Sequence, residues 1–324
     1  WYNAEKSVEA ALWNLKEMDY DVAFGCYYDM GFGVPAMGGK LEIPEKFGMS
    51  VQVKKYPVEK KEDWSEVKKR FPIDPWKDGR MKGALDSIKA VAKAVGDQIP
   101  VTTAYYPGIA VASLILMRVD DISIAMVEEP EFVDEICQYA NNFAKDWIRA
   151  QYEAGANGWL YLADFFGTEL ISPQMAERYI TPYVVELSEM VQKEFGQRTF
   201  YHVHGDMKRP KAFAWLEKVV KDANLIGLHL DQWHDAAWVR DNVRDKLKIA
   251  GGVPIDGSNP LCTGPLEKIL DETRTAIETA APGGGIIMVP SGQVLPATPN
   301  HFFKAWVEAT HKYGKYPIGS WKTR

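Results

Sequence analysis

Thr199–Asp235 reads TFYHVHGDMKRPKAFAWLEKVVKDANLIGLHLDQWHD. It opens on an apolar run of strand length, Thr199–Val203, and closes on another, Leu225–Leu230. Between them, Lys211–Asp222 carries Phe213, Trp215, Leu216, Val219 and Val220 at helical spacing. Two strands joined by a helical crossover of this length pair in parallel, because a tight turn joins only antiparallel neighbours. The pattern repeats outward. Upstream lie Val22–Tyr27, Pro100–Tyr105 (PVTTAY) and Gly158–Leu162 (GWLYL); downstream lie Leu247–Val253 and Gly285–Val289. Helical patterns separate them at Met81–Val95, Glu131–Gly155, Ser172–Gly196, His234–Asp245, Gly264–Ala281 and Thr298–Tyr313. Seven strands alternating with helices predict an α/β fold, a (β/α)8 TIM barrel whose first strand is expected to precede Trp1. An open, doubly wound dinucleotide sheet is disfavoured, since no G-x-G-x-x-G follows the first strand. Lys40–Ile43 and Ser50–Lys54 read as a β-hairpin. Residues 1–324 are therefore expected to form one barrel domain, with a hairpin and charged excursion at about 38–80.

Composition narrows the function. The chain has 324 residues, 46% hydrophobic and 25% charged, which suits a folded core and not a disordered or coiled-coil chain. A net charge of −6 gives no global positive field for nucleic acid. No apolar run reaches the ~18 residues a membrane span needs. Cys26, Cys137 and Cys262 are too scattered for a disulfide framework, which favours a reducing, cytoplasmic compartment. Neither G-x-S-x-G nor a Walker A motif occurs, so serine hydrolase and P-loop chemistry have no support.

In a barrel, chemistry belongs at the carboxyl ends of the strands. Those ends carry Tyr27, Tyr28 and Asp29; Tyr105 and Tyr106; Asp164, followed by Phe165 and Phe166; His202 and His204; His229, Asp231, Trp233 and His234; and Ser291-Gly292-Gln293. Strand alternation puts His202 and His204 on one side. Two imidazoles at that spacing can chelate one metal ion, and they can equally form a hydrogen-bonded polar layer without metal. Asp231 suits a ligand or a partner to a histidine. An aspartate such as Asp164 or Asp206 at a strand end is as readily a helix N-cap.

Several stretches resemble the uroporphyrinogen decarboxylase superfamily, whose members include corrinoid-linked methyltransferases and methyl-ether demethylases. They are DYDVAFGCYYDMGFGVPAMGG (19–39), VEEPEFVDEICQYA (127–140), LADFFGTELISPQMAERYITPYVVEL (162–187), YHVHGD (201–206), and GGVPIDGSNPLCTGPLEKI (251–269) with VPSGQVLPATPNHFFKAW (289–306). The third is the most specific. The resemblance runs from about Ala10 to Tyr316. It implies the barrel and also allows a homodimer.

The departures are informative. Where the decarboxylases resembled carry a His at the last strand, this chain has Ser291-Gly292-Gln293; where they carry a Ser after the Asp, it has Phe165. The thiol methyltransferases resembled hold zinc with an H-x-C strand and a later Cys. Here His204 replaces the first thiolate and Gly292 the second. The resemblance therefore implies a methyltransferase taking a methyl group from a small methylated substrate, first a methoxylated aromatic, to a Co(I) corrinoid on a partner protein. His202, His204 and Asp231 are its expected metal ligands, zinc being the candidate, or proton donors. Asp164 joins them as a candidate catalytic group. Asp29, Tyr27, Tyr28, Tyr105, Tyr106, Phe165, Phe166 and Trp233 are the expected substrate-binding set, the rings forming a flat aromatic pocket. A decarboxylase of a smaller carboxylate, a thiol methyltransferase and a non-catalytic binding barrel are the alternatives.

Overall fold

The computed structural model describes residues 4–24, 31, 33–43, 51–292 and 294–319. Tyr27, Tyr28, Asp29, Cys26 and Gln293, singled out above, lie outside these residues. The parallel sheet is built from β1 (Ala23–Phe24), β4 (Val101–Tyr105), β5 (Leu160–Ala163), β6 (Thr199–Val203), β7 (Gly227–Leu230), β8 (Ala250–Ile255) and β9 (Ile286–Pro290). Each strand pairs with the next in chain order, all in parallel. Between β1 and β4, β2 (Lys40–Glu42) and β3 (Gln52–Lys55) form a separate antiparallel hairpin.

Unbroken chain order with helical crossovers is the progression of a (β/α)8 barrel. The ends of the sheet are brought together by the helix Ala4–Met18, which packs on both Gly79–Val95 and Asn300–Tyr313. Tyr20 meets Phe303 edge-on at 5.9 Å, and Lys304 approaches Glu17 at 3.8 Å.

Outer faces of the strands pack on the helices. The helix Pro130–Glu153 starts with proline at its first turn, where no amide partner is lost, and buries Val133, Ile136, Ala140, Phe143, Ala144, Trp147 and Ile148 at spacings of three and four. Fully buried Trp147 anchors this layer, and truncating such a ring typically costs about 3–5 kcal/mol. Among the described residues no helix is long and apolar enough to cross a membrane.

Two expected helices differ. Ser172–Gly196 is two helices, Pro173–Tyr179 and Thr181–Phe195, breaking at Ile180 (φ −113°, ψ −57°). Pro182 has no amide to continue the first helix and starts the second. Ser172 does cap the first, accepting from the Met175 amide at 3.2 Å. The segment after β7 starts as a short turn, Ala236–Trp238, and widens into a π-type helix, Val239–Leu247. The helices Gly108–Val111 and Val119–Glu128 have no counterpart in the sequence reading.

Candidate metal centre

Register and alternation decide which side chains meet. His202 of β6 is level with Ala163 of β5 and with His229 of β7. The residues beside it, Tyr201 and Val203, join the outer core. His202, His229 and Tyr161 therefore face inward, and His204 and Asp231 continue the same faces one step beyond the strands. The His202 ring stacks on His229 at 3.9 Å (12° between planes) and on His204 at 4.3 Å.

The convergence falls at the carboxyl ends of β6 and β7. One ligand atom each from His202, His204 and Asp231 lies within 4.8 Å of the others. His202 Nε2 is 3.4 Å from Asp231 Oδ1, and His204 Nδ1 is 3.2 Å from Asp231 Oδ2. The Gly205 amide also donates to Oδ2, at 3.0 Å. Gly205 sits at φ +104°, and a Cβ there would lie 2.5 Å from Thr168 Oγ1, so glycine is needed to aim that amide. Burial pulls the Asp231 carboxyl upward, but the His204 imidazole, by hydrogen bond and by charge, and the Gly205 amide favour the carboxylate, which is held well below the usual range. Burial lowers His204, yet Asp231, assisted by Asp164, raises it overall. For His202 burial wins over Asp231 and lowers it.

Two imidazole nitrogens and a carboxylate oxygen are a donor set for Zn²⁺ and similar divalent ions, and the three atoms are close enough to surround one ion after small rotations. His202 and Asp231 are buried, while the His204 side chain is 38% exposed and leaves the centre open on one side. An open position is what separates catalytic from purely structural sites.

The other expected residues distribute around this centre. Asp164 lies on the outer face of its strand, buried, accepting from the Phe166 amide at 2.9 Å and from the Tyr201 hydroxyl at 3.0 Å. Burial pushes its carboxyl up to about 7. It braces the loop that carries Gly167, whose Cβ position would lie 2.7 Å from the His204 carbonyl oxygen. Tyr105 packs outward against Phe143 and Trp147, and Phe166 is in the core. Tyr106 is half-buried, with its phenol within electrostatic reach of Tyr161. Phe165 and Trp233 are exposed, by 38% and 50%. The inner aromatic surface is instead made by Phe24, edge-on to Tyr161 at 5.6 Å, and Phe200, stacked on Tyr161 at 6.3 Å. Ser291 accepts from the Gly257 amide at 3.2 Å and ties the last two strand ends together.

Three residues matter more here than the sequence reading gave them. The Tyr161 hydroxyl bridges His202 Nδ1 (2.9 Å) and His229 Nδ1 (2.5 Å). Buried His234 donates from Nδ1 to the Asp231 carbonyl at 3.1 Å and accepts the Met207 amide on Nε2 at 3.0 Å, which locks the loops after β6 and β7 together. Alternation within GWLYLAD would have turned Tyr161 inward, with the parity of Ala163.

Comparison with known proteins bears on the same fold. The profile of the uroporphyrinogen decarboxylase (URO-D) family matches residues 1–313. The chain belongs to the uroporphyrinogen decarboxylase family. Among proteins that match by sequence, the methylcobamide:CoM methyltransferase MtaA of Methanosarcina barkeri is 25% identical over 245 residues, 75% of this chain and 67% of that protein. MtbA of Methanosarcina acetivorans, also a methylcobamide:CoM methyltransferase, is 22% identical over 222 residues, 67% of this chain and 62% of that protein. A methyltransferase from Methanosarcina mazei has a similar structure, with a TM-score of 0.81 over 97% of this chain and 87% of its own, at 20% identity. This URO-D chain is thus the α/β barrel that its strand count predicted.

Proposed function

We propose that this chain is a methyltransferase that moves a methyl group between a small methylated substrate, in the first instance a methoxylated aromatic, and the corrinoid of a partner protein. The relatives that match by sequence are corrinoid-dependent methyltransferases, which supports the reaction class. The observation that carries the finer reading is the convergence of His202, His204 and Asp231, without sulfur, at the strand ends. A thiol acceptor is best activated by a sulfur-rich, soft centre, whereas two nitrogens and an oxygen suit a centre that handles an oxygen leaving group. Zn²⁺ held there would supply Lewis acidity toward that oxygen.

The chain's own groups supply the rest. His202 and Asp231, both buried, are held close to the positions a metal ion would need, within small rotations. His204, raised by Asp231, is a proton donor at the open edge when it is not ligating. Phe165 and Trp233, exposed among the strand-end residues, offer apolar faces to an aromatic ring, over an inner aromatic layer of Phe24, Tyr161 and buried Phe200. Described Cys137 and Cys262 are unpaired, which agrees with a reducing, cytoplasmic setting.

The test is methylation of a Co(I) corrinoid protein by a panel of methoxyarenes, with zinc-loaded chain. Methylation by an ether, lost on chelation, is expected; no ether reacting while a methylated corrinoid passes its methyl to a thiol would favour the second reading. That reading, thiol methylation, draws on the names of the relatives. Release of CO₂ from a small carboxylate in the same assay would favour decarboxylation instead.

A further inference from the structure

Behind the metal centre runs a chain of contacts whose protons can be counted. The Pro290 carbonyl, His229 Nε2, His229 Nδ1, the Tyr161 hydroxyl and His202 Nδ1 follow one another at 2.6 Å, across the ring, at 2.5 Å and at 2.9 Å. The next contact, from His202 Nε2 to Asp231 Oδ1, is 3.4 Å. A carbonyl only accepts, so the 2.6 Å contact requires a proton on His229 Nε2. His229 is buried, and among the described residues no carboxylate bonds to its ring, so it carries this one proton and its Nδ1 is bare. Contact at 2.5 Å between a bare nitrogen and a hydroxyl oxygen requires the hydroxyl proton to lie between them. Tyr161 has then spent its only proton, and its oxygen accepts from His202 Nδ1–H. His202 Nε2 is left with a lone pair facing a carboxylate. The one long contact in the row is the one that lacks a proton.

We infer that Tyr161 and His229 are positioning residues which, braced on the Pro290 carbonyl, fix the proton of His202 on Nδ1 and aim its Nε2 lone pair at the space shared with His204 and Asp231. Imidazoles that bind metals are generally oriented in this way by a partner on the far ring nitrogen. Here the partner is a tyrosine whose own direction is set by a second histidine. Stacking of His229 on His202 at 3.9 Å holds both rings parallel, so neither turns freely to reverse the order. The inference deepens the metal reading above and rests on it for the effect on affinity, whereas the tautomer belongs to the metal-free protein.

The experiment is two-bond ¹H–¹⁵N correlation on metal-free protein carrying ¹⁵N-histidine, paired with Zn²⁺ titration against a chromophoric chelator. Wild type is expected to show His202 protonated on Nδ1 and His229 on Nε2. Tyr161→Phe keeps the ring and removes the hydroxyl; His202 should then move its proton to Nε2, toward Asp231, and Zn²⁺ affinity should fall about 10–100-fold. His229→Leu leaves Tyr161 intact but frees its proton to turn toward His202, and should produce the same tautomer change. A merely structural tyrosine would not move a tautomer through an unmutated neighbour. Finding the His202 proton on Nε2 in wild type would overturn the inference, as would a Tyr161→Phe protein with unchanged tautomer and affinity. If Tyr161→Phe does not fold, the wild-type spectrum and His229→Leu still decide. Wild type that shows the Nδ1 proton but binds no Zn²⁺ upholds the positioning chain and overturns the metal reading alone.

Discussion

Replacing Asp231 by asparagine removes one charge and almost no volume, and its consequences can be worked out atom by atom. Oδ2 accepts the Gly205 amide at 3.0 Å and His204 Nδ1–H at 3.2 Å, while Oδ1 faces His202 Nε2 at 3.4 Å. The amide oxygen of Asn in the Oδ2 position keeps the first two contacts, and its NH₂ group meets the bare Nε2. What is lost is the charge behind two hydrogen bonds. Bonds to charged groups contribute about 1.5–3 kcal/mol and neutral ones about 0.5–1.5 kcal/mol, so the loss is about 2 kcal/mol, offset in part because an ion no longer has to be buried. A net destabilisation of about 1–2 kcal/mol is expected in metal-free protein.

Its pH dependence has a definite sign. The carboxyl is held below its ordinary range, so the Asp231 contribution is present above about pH 3.9 and is lost only as pH falls through the lower folded value. His204 is raised, so its share is fully present below about 6.5 and is lost as pH rises through its folded value. The gap between wild type and Asp231→Asn should therefore be widest on the acid side of His204 and narrow above it. Asp231→Leu, which leaves the Gly205 amide and His204 with no acceptor, should cost more, about 3–5 kcal/mol. Denaturant titrations from pH 5 to 8 measure the stabilities. Competition titration with Zn²⁺ should show both variants weakened beyond the ~10–100-fold typical of losing an outer partner. Asp231→Asn binding Zn²⁺ as tightly as wild type would refute the ligand assignment.

Three further outcomes follow from the geometry. Gly167→Ala places a methyl group 2.7 Å from the His204 carbonyl oxygen and 2.8 Å from its carbon, so the strand end must shift; a loss of about 1–3 kcal/mol in thermal unfolding, with weaker Zn²⁺ binding, is expected, and an unchanged melting curve would contradict the packing account. Burial pushes the Asp164 carboxyl up to about 7, so wild-type stability should decline as pH rises from about 4 to 7, by up to roughly 4 kcal/mol relative to Asp164→Asn; parallel pH profiles for the two proteins would count against it. Burial lowers His234, so the stability it gives is present above about pH 6.5 and is lost as pH falls through its folded value; exchange of the Met207 amide, corrected for intrinsic rate, should accelerate on acidification and not on going alkaline.

Sequence and structure divide unevenly between the fold and the site. Strands such as Thr199–Val203 are short, apolar and separated by amphipathic helices, so hydrophobic period alone marks them. The same alternation turns His202 and His204 to one side and makes their pairing legible. Asp231 lies a whole helix away in sequence, and its approach follows only from the parallel register of β6 and β7. Asp164 illustrates the limit from the other side. Its place at a strand end suggests the site, yet its parity with Leu160 and Leu162 turns it outward, where it braces the loop beneath His204. Tyr105 and Phe166 are aromatic for packing, whereas Tyr161, in mid-strand, reaches the histidines because the sheet curls. Helix breaks at Ile180 and after Trp238 depend on local backbone geometry that periodicity does not carry.

Everything proposed for this site depends on two imidazoles and a carboxylate holding one metal ion at the carboxyl ends of β6 and β7. Anomalous diffraction at the zinc edge, from crystals of the chain grown with one equivalent of Zn²⁺, tests it most directly. A single strong peak is expected about 2.0–2.2 Å from His202 Nε2, His204 Nδ1 and an Asp231 oxygen, with a further position open. A peak elsewhere, or none at that centre with zinc in excess, would contradict it.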